Sequence, residues 1–131
     1  MSKPKQTIQY LSYHSEQRRN EPGYFFGTHR PGEDLYTCEE LLFVSYVDME
    51  LLMPIVEKQY PLTDPQTGEV YTAFDHCWDN VIAASVWKEI LDEMDRFPPE
   101  NEAHRLFIQQ VTEWIRKRLQ YADYIVVEGT L

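Results

Sequence analysis

An α+β domain is the fold this sequence predicts: a small, mostly antiparallel sheet packed against a C-terminal antiparallel helix pair. Three observations predict it. Two stretches carry apolar residues at helical spacing, Ser85–Phe97 and Glu100–Leu119, and only Pro98-Pro99 lies between them. Short apolar runs at Glu40–Tyr46 and Tyr124–Val127 have the length and composition of strands. Ahead of them, residues 14–34 show no helical period and hold Gly and Pro in clusters. A mostly α bundle is the alternative, should 36–59 be helical throughout. With 131 residues, 43% of them hydrophobic, the chain is read as one domain, 1–131, with room for a core.

Each element has its reason. Residues 1–7 read as a loose N-terminus, and Ile8–Tyr13 alternates weakly enough for a first strand. Residues 14–34 read as a long loop with some strand around Tyr24–Thr28. Glu40–Tyr46 reads as a buried strand, or equally as a helix. Asp48 is an N-cap candidate for a helix to about Gln59, although Pro54 forces either a start near Met53 or a kink. Pro65 and Gly68 place a tight hairpin between Tyr60 and Val70/Tyr71. Ser85 caps the next helix, whose stripe is Val86, Trp87, Ile90, Leu91, Met94 and Phe97. The last helix starts near Glu100 and lines up Leu106, Phe107, Val111, Trp114, Ile115 and Leu119, with Arg116-Lys117-Arg118 at the negative end of its dipole. His104 is read as a solvent-facing residue of its first turn. Tyr124–Val127 returns to the sheet.

The charge is split. Of the net −10, residues 1–30 contribute an excess of basic side chains (Lys3, Lys5, Arg18, Arg19 and Arg30 against Glu16 and Glu21), so the remainder is strongly acidic. Phosphate binding needs clustered Lys and Arg, which disfavours nucleic acid as a partner. No apolar run is long enough for a membrane span, no secretory h-region is visible, and two cysteines are too few for a disulfide framework. These features predict a cytoplasmic protein, monomeric or homodimeric.

Few segments hold side chains capable of chemistry. Asp75-His76-Cys77-Trp78-Asp79-Asn80 puts five metal- or acid–base-capable side chains in six residues, but without the spaced ligand doublets of a zinc site. It is read as a junction in which Asp75 or Asp79 caps the coming helix while Phe74, Cys77 and Trp78 plug the core. Gly23–Asp34 has glycines and His29-Arg30 for an anion, but neither phosphate-loop spacing. No catalytic residue, metal ligand or cofactor is therefore expected. The expected function is that of an acidic, non-enzymatic binding protein, of the immunity or antitoxin type, that masks a basic partner such as a nuclease toxin. Its partner-binding residues are read as Tyr24, Phe25 and Phe26 (an aromatic hot spot), Glu33, Asp34, Glu39 and Glu40, and the acidic helix end Asp92, Glu93 and Asp95. The alternatives are a small hydrolase using the Asp75–Asn80 cluster with His29, and a structural or assembly adaptor.

Overall fold

The computed structural model describes residues 6–13, 22–29, 38–64 and 67–130. Its strands are β1 (Thr7–Leu11), β2 (Gly23–Gly27), β3 (Glu40–Ser45), β4 (Leu62–Thr63), β5 (Val70–Tyr71), β6 (Asp79–Ala83) and β7 (Tyr124–Gly129). Its helices are α1 (Tyr46–Met49), α2 (Met53–Glu57), α3 (Ala84–Arg96) and α4 (Glu102–Leu119). Five strands form a mixed sheet in the order β1-β3-β2-β7-β6, with β4 and β5 a separate hairpin. Only the β1–β3 pair in that sheet is parallel; β2 runs antiparallel to both β3 and β7, and β6 antiparallel to β7. The architecture is α+β, and the bundle alternative does not apply.

Register and the two-residue period of a strand sort the side chains onto two faces. One face carries Leu11, Val44, Leu42, Tyr24, Phe26, Val127, Ile125 and Ile82, and packs on Trp87, Ile90, Leu91 and Met94 of α3 and on Phe107, Val111, Trp114 and Ile115 of α4. Met49, Leu52, Ile55 and Val56 close the same core. The second face carries Tyr10, Phe43 and Phe25 in contact, with ring centroids 5.5 and 4.9 Å apart, and beyond them Glu128 and Asp79. Leu41, Phe43 and Val126 on this face are also buried, which is why β3 and β7 read as continuous apolar runs rather than as alternating ones.

Several local expectations change. The segment around Tyr24 is a full strand at the centre of the sheet. Thr7 already belongs to β1, its N–H donating to the Glu39 carbonyl at 2.7 Å, whereas residues 1–5 and the loop portions 14–21 and 30–37 lie outside the described residues. Asp48 is not a cap: Ser45 caps α1, and the buried Asp48 carboxylate instead accepts from the Tyr13 N–H at 2.9 Å. Pro54 sits comfortably in the first turn of α2, which starts at Met53. Helix α3 starts one residue before Ser85, with Ala83 at the cap position and no side-chain cap. Helix α4 is capped by Asn101, whose Oδ1 accepts from the His104 N–H at 2.9 Å. His104 is buried, not solvent-facing; its Nδ1 accepts from the Glu100 N–H at 3.1 Å, and its ring lies between Tyr13 and Phe97.

Candidate functional site

The segment from Phe74 to Asn80 crosses one end of the sheet and leads into β6. Phe74 is the plug that was expected; Cys77 and Trp78 are not. Trp78 is 72% exposed, the most exposed large apolar side chain among the described residues. The turn that carries it is fixed from inside by the buried Asn80. The Asn80 Oδ1 accepts from the Asp75 N–H at 2.7 Å. Its Nδ2 donates to the carbonyls of Asp75 (2.7 Å), Trp78 (3.1 Å) and Val127 (3.0 Å). Asp75 Oδ1 accepts from the Cys77 N–H at 2.9 Å, which makes a tight Asx turn in place of the helix cap foreseen for it. The N–H of Gly129 then donates to the Trp78 carbonyl at 3.3 Å. Trp78 is thus presented on a preorganised loop between Asp75 and Asp79.

The same end of the sheet holds a polar pair. The Tyr24 hydroxyl and His76 Nδ1 are hydrogen-bonded at 2.6 Å, and His76 Nε2 lies 3.9 Å from a Glu57 carboxylate oxygen. Burial, with smaller contributions from Tyr46, Cys77 and Glu57, pushes the Tyr24 phenol up to about 12. A phenol ionised at about 10 when unfolded but at about 12 when folded contributes stability that is complete below pH 10 and falls as the pH rises toward 12. Urea unfolding between pH 9 and pH 11.5 is therefore expected to show stability falling with pH. Tyr24→Phe is expected to flatten that decline, and an unchanged slope in this variant would exclude Tyr24 as its source.

The acidic and aromatic residues expected to bind a partner separate into different fates. Tyr24 and Phe26 are 0% and 1% exposed and belong to the core, because β2 is a central strand. They are corrected from surface to structure. Phe25 is half-buried on the second face, against Phe43. Glu40 holds Arg118, a buried cation at 2.5 Å whose guanidinium also stacks over the Trp114 ring at 4.4 Å. Glu93 pairs with Lys58 of α2 at 3.0 Å and Asp95 with Arg116 of α4, so the acidic end of α3 is largely answered inside the molecule. Glu39 and Asp92 are exposed, and Glu33 and Asp34 lie outside the described residues. A groove of about 460 Å³ between α3 and α4 is lined by Phe97, Arg105 and Arg116 among others.

A second cluster lies on the opposite face of the sheet from the helices. His29 follows β2, Asp79 opens β6, and Glu128 faces Asp79 across the β6–β7 pair. Their nearest ligand atoms all fall within 4.8 Å of one another. His29 is 5% exposed, and its ring interacts with the Cys38 side chain. The buried Cys38 thiol adjoins it. The thiol donates to the Glu40 carbonyl at 3.2 Å, and both Cys38 Sγ and His29 Nδ1 crowd the face of Gly27. Burial opposes charge on either group, but the hydrogen bond and charge interaction between the two outweigh it, with Glu128 and Asp79 also acting on His29 and backbone contacts on Cys38, so the His29 pKa is held above and the Cys38 pKa below the ordinary value.

No family model, characterised protein or solved structure matches this chain. The site must therefore be read from its own geometry. Sequence reasoning placed Asp79 in a polar cluster and named His29 beside it in the hydrolase alternative, but missed Glu128 and Cys38. Glu128 carries no local signal, because its role arises only from the β6–β7 register.

Proposed function

We propose that this chain is a protein-binding module that engages a basic partner through the sheet end built round Trp78. The observation that carries the reading is a tryptophan 72% exposed on a loop whose backbone is pinned by a buried asparagine. Exposed tryptophans on rigid supports are the side chains that most often dominate interface energetics, since little entropy is lost when they dock. Asp75 and Asp79 flank Trp78 in sequence, Glu128 faces Asp79, and Glu57 reaches His76 at the same end. With a net charge of −10, such a surface steers basic partners and repels acidic ones. The immunity or antitoxin type, acting in the cytoplasm where Cys38 and Cys77 stay reduced, is the form of this function that the charge favours. No described helix is long and apolar enough to cross a membrane.

The test pairs two baits, the wild-type chain and Trp78→Ala, against lysate of the source organism. A basic protein is expected to be retained by the wild type and lost with Trp78→Ala, with an affinity loss on the order of 100-fold, mostly in the dissociation rate. Glu57→Lys is expected to slow association instead, as is raised salt. Equal capture by both baits, with Trp78→Ala still folded by circular dichroism, would sink the proposal.

A further inference from the structure

We propose that Cys38, with His29 beside it, is a site of oxidation by hydrogen peroxide on the sheet face opposite the helices. The fold assembles here a nucleophile and a base that the binding surface at Trp78 does not use. His29 follows β2 and Cys38 precedes β3, and both side chains close on Gly27: a Cβ there would meet His29 Nδ1 at 2.7 Å and Cys38 Sγ at 3.1 Å. The two residues are 5% and 6% exposed, and their side chains are hydrogen-bonded to each other. A nucleophile and a base within hydrogen-bond reach, with a third group behind the base, is the arrangement that activates a thiol. That third place is taken by Asp79 and Glu128, each with a carboxylate oxygen within 4.8 Å of a His29 ring nitrogen.

The position of one proton decides the chemistry. In the neutral pair the thiol proton has the Glu40 carbonyl at 3.2 Å and the His29 ring as acceptors. Transferred to the ring, it leaves a thiolate that keeps the His29 contact and backbone contacts from Thr28 and Glu40, beside an imidazolium that faces two carboxylates. Burial opposes this charged state, and those contacts outweigh it. The thiolate, not the thiol, is the form that peroxide oxidises. The Cys38 sulfur bonds to one peroxide oxygen, the O–O bond breaks, and the departing hydroxide takes the His29 proton and leaves as water. Sulfur is oxidised to the sulfenic acid and the peroxide is reduced. Size and charge select the oxidant. A nearly buried sulfur admits a molecule of two oxygens but not a disulfide the size of oxidised glutathione, and a net charge of −10 disfavours anionic oxidants. The reaction needs no second cysteine, so it is open to a protein whose thiols are otherwise kept reduced.

The test treats the full chain with hydrogen peroxide near neutral pH, traps sulfenic acid with a dimedone probe, and reads both cysteines by peptide mass spectrometry. Exposure alone would favour Cys77, the exposed thiol. Cys38 is expected instead to be trapped faster, by about tenfold or more. His29→Gln is expected to slow trapping at Cys38 about tenfold and to leave Cys77 unchanged. Misfolding of this variant has the opposite sign, because opening the core frees the Cys38 sulfur, and faster iodoacetamide labelling of Cys38 reports it. In that event the pH profile of the wild type decides. Between pH 8 and pH 6 an ordinary thiol of pKa about 8.5 loses its thiolate roughly 75-fold, whereas the Cys38 rate is expected to fall less than about tenfold. Cys77 trapped first, a Cys38 rate unchanged in folded His29→Gln, or an ordinary thiol's pH profile at Cys38 would each overturn the proposal.

Discussion

Asn80→Ala is expected to lower the unfolding free energy by about 3 kcal/mol or more. Its side chain makes one acceptor and three donor contacts, all to backbone, and all inside 3.1 Å. An amide has only two N–H groups, so the three carbonyls share them, and the whole turn from Asp75 to Trp78 depends on one side chain. Truncation leaves the Val127 carbonyl without this partner at a buried position, and the Asp75 N–H without its partner at a part-buried one. The cost of stranding such groups exceeds the modest net worth of the bonds themselves, at about 1–3 kcal/mol for each group. A second substitution separates this cause from simple cavity formation. Asn80→Asp keeps the volume but turns an N–H donor into an oxygen facing three carbonyl oxygens, so it should cost at least as much as alanine. Urea denaturation of both variants checks this; an aspartate variant as stable as the wild type would show that the three donor contacts matter little. The local consequence is also measurable. Once unpinned, the loop should become the first site of proteolytic cleavage, and the Trp78 surface should lose its preorganisation while Trp78 itself is unchanged.

What the chain disclosed in advance follows from the range of its interactions. The helix pair was legible because Trp87, Ile90, Leu91 and Met94, and Phe107, Val111, Trp114 and Ile115, repeat at the helical period and face one core. Buried strands β3 and β7 were legible because sheets covered on both faces leave a short, uninterrupted apolar run. Strand β2 was legible only in part, as some strand around Tyr24–Thr28 within a long loop, because Gly23-Tyr24-Phe25-Phe26-Gly27 has turn residues at both ends. Its central place comes from pairing with β7 about a hundred residues away, where Tyr24 meets Gly129. The same long range hid the candidate site. The acidic end of α3 looked like a patch kept for a partner, because Lys58 and Arg116, which answer Glu93 and Asp95, come from other elements. Trp78 looked like a core residue because its neighbours resembled a helix junction. One further strand, β6, separates it from α3, and that shift of a few residues turns an aromatic plug into an exposed anchor.

Gly129→Ala is the second large effect expected, and its cause is contact between two backbones. A Cβ at this position would lie 1.9 Å from the His76 carbonyl oxygen and 2.5 Å from its carbon. Neither atom can rotate aside as a side chain would, so the 76–78 segment must lift from the sheet or the end of β7 must leave it. The N–H of Gly129 donates to the Trp78 carbonyl and Thr130 bonds Gly23, so either route breaks contacts that hold the strand ends together. Overpacking against fixed structure costs typically 1–3 kcal/mol and sometimes more; here the upper end is expected. Gly68→Ala provides the contrast. Gly68 has a positive φ of 74° but nothing within 4 Å of an added Cβ, so only the left-handed conformational cost of about 1–2 kcal/mol applies. If Gly129→Ala proves no costlier than Gly68→Ala, the close approach of the Trp78 loop to β7 is wrong. If it is costlier, and partner capture falls as far as with Trp78→Ala, then the position of the loop matters to binding as much as the indole it carries.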